Sequence, residues 1–287
     1  MLDLALSVLS STWIFVVFKL YDVYKVQTFV AIIINYITAC LVGFFLYQGP
    51  VSIGDIMNTS WVWGPFALGI LFITIFNLMA KTAQISGVSV ASVATKMSLV
   101  IPVVIGLFIY GEHLSFPQIM GILLALAAVY FASLKEKGIT INRKDLILPL
   151  LVFLGSGAID ASIKYFEEKH LTDQEIPIFS SMVFGCAALS GLIYIGIGGK
   201  KQNLKINFKN VMGGIALGIP NYFSIYFLIR ALRNTIWSSA AVFTLNNVAI
   251  VMLSTLLGIL LFKERLSLKN WDGVVLAIIS IVLVALF

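Results

Sequence analysis

MSLVIPVVIGLFIYGEHLSFPQIMGILLALAAVYFASL, residues Met97–Leu134, reads as an apolar segment, a short polar corner at Gly111–Ser115, and a second apolar segment. The end of the chain repeats the pattern. Gly106, Glu112, Leu114, Ser115 and Gly121 recur as Gly258, Glu264, Leu266, Ser267 and Gly273, each displaced by 152 positions. Two copies of one helix-corner-helix unit, each closing half of the chain, mark an internal duplication.

Composition says what kind of solvent the duplicated chain meets. Of its 287 residues 60% are hydrophobic and 11% charged, and the mean hydropathy is +1.02. A soluble domain carries about 25% charged residues, so this chain lacks the polar surface to cover a globule in water. The expected class is an integral membrane protein. The net charge of +6 sits in short gaps between apolar runs. That is not the clustered, exposed basic surface of a nucleic-acid binder. Cys40 and Cys186 each lie inside an apolar segment and read as small core hydrophobes rather than a disulfide framework. The N-terminus has neither a charged leader nor a cleavage site after its apolar run, so the first segment is expected to be retained as a helix.

A membrane-spanning helix needs about 20 apolar residues. Ten segments are predicted: 2–20, 28–47, 62–80, 88–110, 117–134, 146–166, 176–197, 210–231, 237–262 and 270–287. A membrane barrel would show strands of alternating polarity, and runs such as Ile119–Ala132 do not alternate. The fold class is therefore an all-α membrane protein of ten helices. The polar gap 135–145 divides it into a first repeat, 1–134, and a second, 146–287. Five helices per repeat put the two in opposite orientations, the inverted-repeat plan of many secondary transporters. The repeat extends outward: Trp13–Lys19 answers Ala158–Lys164, and the stretch from Lys81 answers that from Arg230.

Fourteen of the 19 Lys and Arg residues fall in the odd-numbered loops. The positive-inside rule then places those loops in the cytoplasm and both termini outside. Trp61, Trp63, Trp237 and Trp271 stand at segment starts, where an interfacial aromatic belt is expected, whereas Trp13 lies mid-segment.

Ionisable residues at membrane depth are costly and default to a functional reading. Lys96, well inside segment 4, and Asp160, near the middle of segment 6, are the foremost candidates. Facing one cavity, they pair with each other or hold the carboxylate and ammonium of a zwitterion. The plainer readings are an i,i+4 pair of Asp160 with Lys164 and a snorkelling Lys96. Segment 8 offers Asn221, Tyr222 and Tyr226 beside Pro220, whose missing N–H predicts a kink and a polar path. Thr12 and Trp13 in segment 1, Asn77 in segment 3, and Asn246 and Asn247 in segment 9 complete the candidate binding set. Glu112 and Glu264, with Gly121, Gly273 and Pro102, are read as structural. The glutamates are expected to satisfy backbone donors at the start of the following helix.

Catalytic chemistry is sparse. His113 and His170 are the two histidines, and the zinc, nucleophile-elbow and phosphate-loop motifs are missing. No metal or cofactor is expected, and the pattern favours moving a molecule over transforming it.

At the closing units the chain resembles the drug/metabolite transporter superfamily, in its ten-helix EamA-like branch. The residues that carry this are Pro102–Gly121 (PVVIGLFIYGEHLSFPQIMG) and Lys263–Gly273 (KERLSLKNWDG). The second copy has Lys263 where the first has Gly111, and nothing answers Pro102. The resemblance implies a central cavity between segments 1, 3, 4, 6, 8 and 9, with 5 and 10 at the periphery, and alternating access by rocking of the inverted halves. The four-helix multidrug relatives exchange protons on a first-helix glutamate. Segment 1 offers only Asp3 at its edge, so that mechanism does not carry over.

The expected function is a bacterial inner-membrane secondary transporter, exporting amino acids or related amphipathic metabolites. Its expected partners are a small-molecule substrate and the bilayer, with a coupling proton left open. Its expected assembly is a monomer or a weak homodimer. The alternatives are a multidrug exporter of lipophilic cations, which needs Asp160 exposed without Lys96 nearby, and a non-transporting membrane receptor or assembly protein.

Overall fold

The computed structural model describes residues 2–47, 56, 59–109, 115–133, 143–172, 175–197, 206–232 and 239–286. Among them the regular structure is helical throughout: α1 Leu2–Val23, α2 Thr28–Leu46, α3 Gly64–Ser86, α4 Val88–Met97, α5 Val100–Ile109, α6 Phe116–Ser133, α7 Arg143–His170, α8 Ile176–Gly196, α9 Phe208–Leu232, α10 Ser239–Phe262 and α11 Leu268–Leu286. The eleven helices occupy the ten predicted segments, because segment 4 is broken into α4 and α5. Seven spans (in α1, α2, α3, α7, α8, α9 and α10) are long and apolar enough to cross a membrane. Of the rest, α4–α5 is interrupted, α6 is short, and α11 carries Lys269 and Asp272 in its first turns.

The break in segment 4 has a local cause. Pro102 has no N–H to give the carbonyl of Ser98 four residues earlier. The Ile101 N–H takes that carbonyl instead at 2.9 Å, in a tighter i→i+3 turn. Pro220, where the sequence predicts a kink, lies inside the continuous α9. The discontinuity thus falls at Ser98 and Leu99.

Helix starts follow their sequences. Pro65 and Pro177 sit in the first turns of α3 and α8, where an N–H has no helical acceptor anyway. Ser115 and Gln118 bond reciprocally, the Gln118 side chain accepting from the Ser115 N–H at 2.9 Å and Ser115 Oγ from the Gln118 N–H at 3.3 Å. Ser267 and Asn270 repeat this at the start of α11. Both are capping boxes. They leave Glu264 free of the task the sequence reading gave it.

Polar contacts sort the connections into two faces. Asn210 Oδ1 accepts the Gln27 N–H, and Gln84 Nε2 donates to Thr28 Oγ1. Glu264 Oε1 accepts the Val88 N–H, and Asn270 Nδ2 donates to the Ala132 carbonyl. Odd-numbered connections therefore share a face. On the other face Asp3 pairs with Arg230 at 3.4 Å and Trp61 Nε1 donates to Glu175 Oε1 at 3.1 Å. That bond corrects one expectation: Trp61 is fully buried as an anchor for the Glu175 turn rather than standing in an interfacial belt, whereas Trp63 and Trp271 are exposed.

The most extensive helix pairings are α6 with α11, α2 with α9, α1 with α9, and α3 with α8. Small residues permit them, as expected where lipid offers no hydrophobic drive between helices. A Cβ on Gly273 would meet the backbone nitrogen of Ala132, and one on Gly69 would lie 2.6 Å from the Ala187 nitrogen. Ser280 Oγ donates to the Gly121 carbonyl at 2.7 Å. Within the core an aromatic group of Phe18, Tyr36, Phe72, Phe76 and Phe184 locks α1, α2, α3 and α8. Within it the Tyr36 and Phe184 rings stack 6.0 Å apart and the Tyr36 hydroxyl donates to the Phe72 carbonyl. Cys40 and Cys186 are free thiols on α2 and α8.

Candidate substrate site

The break at Ser98 places a polar cluster at mid-depth. α4 ends in Thr95, Lys96 and Met97, and Lys96 sits in the last turn, where a cation complements the helix dipole. Ser98 Oγ lies 2.5 Å from the Thr95 carbonyl and 3.1 Å from Asp160 Oδ2. With a single proton it donates to one acceptor at a time.

Asp160 arrives from α7. The exposed stripe of that helix, facing lipid, runs through Ile147, Leu150, Leu151 and Leu154. At 3.6 residues per turn, Asp160 projects about 140° from this stripe, on the side that carries the buried Val152, Phe153, Ser156 and Ile159. Yet Asp160 itself is exposed while surrounded by protein. Exposure on the packed side of α7 implies an opening between the helices. Lys96, partly buried at the end of α4, lies within electrostatic reach of Asp160, without a direct ion pair.

Trp13 is exposed as well. Leu2, Leu9 and Trp13 are exposed along one face of α1. Below Trp13 the helix is buried all round from Ile14 to Phe18. Among the described residues four buried hydroxyls have no partner, and two of them lie near these side chains: Thr12 Oγ1, next to Trp13, and Ser156 Oγ, one turn from Asp160 on the same face of α7.

The remaining candidates go elsewhere. Asn221 Nδ2 donates to Asn35 Oδ1 of α2 at 3.1 Å, and Tyr222 is buried on the same side of α9, beside Gly43. Both belong to the α2–α9 packing rather than to the opening. Asn246 Oδ1 accepts from Ser7 Oγ at 3.1 Å, tying α10 to α1. Asn247 is buried. Asn77 Nδ2 is turned back to its own helix at the Ile73 carbonyl, 2.7 Å away. Tyr226 is half-buried and stacks on Tyr222, with the Arg230 guanidinium 5.7 Å from its ring. The Lys164 side chain, Glu112 and Trp237 lie outside the described residues. Ser98 was missed from the sequence, although its place four residues before Pro102 marks a freed carbonyl beside a small hydroxyl.

The Asn35–Asn221 bond carries its own test. Asn221→Ala leaves the buried Asn35 Oδ1 without its donor, at a cost of about 1–3 kcal/mol. Thermal unfolding in detergent is expected to shift downward while substrate affinity stays put; a loss of affinity with unchanged stability would return Asn221 to the site.

An all-helical membrane bundle with charged and polar side chains converging on an internal opening at a helix break defines a carrier-like class. The chain is a member of the EamA-like transporter family, whose model matches twice, over residues 1–134 and 143–286. It is also 29% identical over 257 residues, 88% of this chain and 86% of the relative, to an uncharacterized protein of Haemophilus influenzae. A solved crystal structure superposes with a TM-score of 0.61 at 16% identity, covering 98% of this chain and 96% of the other, which is a likeness of fold. The chain is thus a multi-pass membrane protein of a small-molecule transporter family.

Proposed function

We propose that this protein is a bacterial inner-membrane secondary transporter that exports amino acids or similar small zwitterions. It works by alternating access between two inverted five-helix repeats, 1–134 and 146–287, joined by 135–145. The observation that carries the substrate class is the gap between Lys96 and Asp160. An ammonium and a carboxylate coupled across an opening, with no direct bond, offer complementary partners to a ligand that bears both charges. Ser98 orients the Asp160 carboxylate, Thr12 and Ser156 supply unpaired hydroxyls, and the exposed Trp13 indole supplies an apolar wall. A lipophilic cation would meet repulsion from Lys96, so the multidrug reading is second.

The test is uptake of labelled amino acids into liposomes holding the purified protein, with and without a proton gradient. Saturable uptake is the expected result. Independence from the gradient makes the protein a facilitative carrier with Asp160 as a binding group, and dependence makes Asp160 the coupling residue. No uptake of any amino acid, with a lipophilic cation transported instead, would overturn the zwitterion reading.

A further inference from the structure

Glu264 does something its position in the chain does not suggest. α10 ends at Phe262, and Lys263 adopts a left-handed conformation with φ 53°, a shape that ordinarily favours glycine. The turn returns the Glu264 N–H to the Gly258 carbonyl at 3.2 Å and sends the carboxylate across to the other half of the chain. There Oε1 accepts the Val88 N–H at 2.8 Å and Oε2 lies 3.4 Å from Ser89 Oγ. These groups open α4, whose N-cap is Gly87 and has no side chain to offer. A carboxylate from α10's end supplies both the missing cap and a charge matched to the helix dipole.

Room for it has been made on both sides. A Cβ on Gly258 would lie 2.5 Å from Glu264 Oε2, and one on Gly87, at φ 109°, would lie 3.0 Å from the carboxylate. The recurrence of Gly258 with Glu264 in the repeated motif thus has a physical reason.

What lies behind this contact is sealed. Val88–Ala94 is buried at every position, and Ser254 Oγ donates to Ser92 Oγ at 2.7 Å, both residues being fully buried. α1 is likewise buried from Ile14 to Phe18, on the side of Trp13 nearer this face. Further along, Thr95 and Lys96 are partly buried, and Trp13 and Asp160 are exposed. The polar site opens away from Glu264.

We propose that Glu264 is a latch holding the lysine-rich face of the carrier closed, and that the site opens to that face when the carboxylate releases the N-terminus of α4. The proposal rests on the alternating-access reading above, but its test uses no substrate, so either idea can fail without the other.

The experiment places a reporter behind the latch: Ser254→Cys in a Cys40→Ala, Cys186→Ala background, reconstituted and treated with a membrane-impermeant maleimide on the lysine-rich face. Labelling is expected to be slow in this parent and at least tenfold faster with Glu264→Ala added. Gly258→Ala guards against misfolding of that variant. Its new methyl displaces only the mobile end of a flexible side chain and is expected to accelerate labelling in the same direction. Rates within twofold of the parent in both variants, with each still monodisperse, would reduce Glu264 to a passive cap and overturn the proposal.

Discussion

Asp160→Asn is expected to lower transport efficiency by at least about 30-fold while leaving the fold intact. The substitution is isosteric, and the amide oxygen still accepts the Ser98 hydroxyl now 3.1 Å from Oδ2, so packing and the local hydrogen bond survive. What disappears is the charge facing the opening. Removing one partner of a desolvated charge pair costs 2–5 kcal/mol, and each 1.4 kcal/mol is tenfold in affinity. The measurement is kcat/KM for the best substrate in proteoliposomes, beside unfolding in detergent. A double variant, Lys96→Met with Asp160→Asn, separates two roles. If the two charges exist to neutralise each other, removing both restores activity lost by removing one. If they hold opposite ends of a substrate, the double variant stays inactive. Full activity in Asp160→Asn alone would sink the site.

Gly273→Val is expected to be the most destabilising change outside the site. A Cβ at that position meets the Ala132 nitrogen and lies 2.9 Å from the Ala132 Cα and 3.0 Å from the Ala128 carbonyl. All three are backbone atoms, which cannot swing aside as a side-chain end can. α6 and α11 must separate, across the most extensive pairing in the molecule, and the Asn270 bonds to the Phe131 and Ala132 carbonyls go with it. Overpacking of this kind costs about 3 kcal/mol, or roughly 6–12 °C in melting temperature. Gly196→Val, at a glycine whose Cβ would meet nothing within 4 Å, is the control and is expected to shift unfolding by no more than a degree or two. Equal melting of the two variants would contradict the account.

The helices and the duplication were legible because both are local or periodic: apolar runs report their own length, and a fixed displacement of 152 survives in glycines and capping residues. The site was legible in its charges only. Lys96 and Asp160 stand out because charge at membrane depth needs a reason wherever the helix faces. Asn221, Tyr222 and Asn246 do not, since an amide or phenol serves a helix interface and a cavity equally well. Only the rotation of α9 and α10 shows that they turn toward α2 and α1. The role of Glu264 lay beyond reach for another reason. Its donor partner, the Val88 N–H, is 176 residues away, and backbone donors leave no mark in a sequence. The break at Ser98 was readable in principle, from a proline four residues on, but Pro102 drew attention as part of a motif instead of as a missing donor.

The interleaving of the halves also bears on how the chain is made. Ser7, Asn35, Val88 and Ser92 find polar partners in Asn246, Asn221, Glu264 and Ser254. For Ser92 the partner emerges 162 residues later, a delay of roughly 10 to 30 s at ribosomal speeds. Throughout that interval the nascent first half keeps its internal bonds, such as Tyr36 to Phe72 and Gln84 to Thr28, but lacks those to the second half. A chain halted before Asn221 lacks all four of these bonds, so slower translation prolongs the stage at which the first half stands without them.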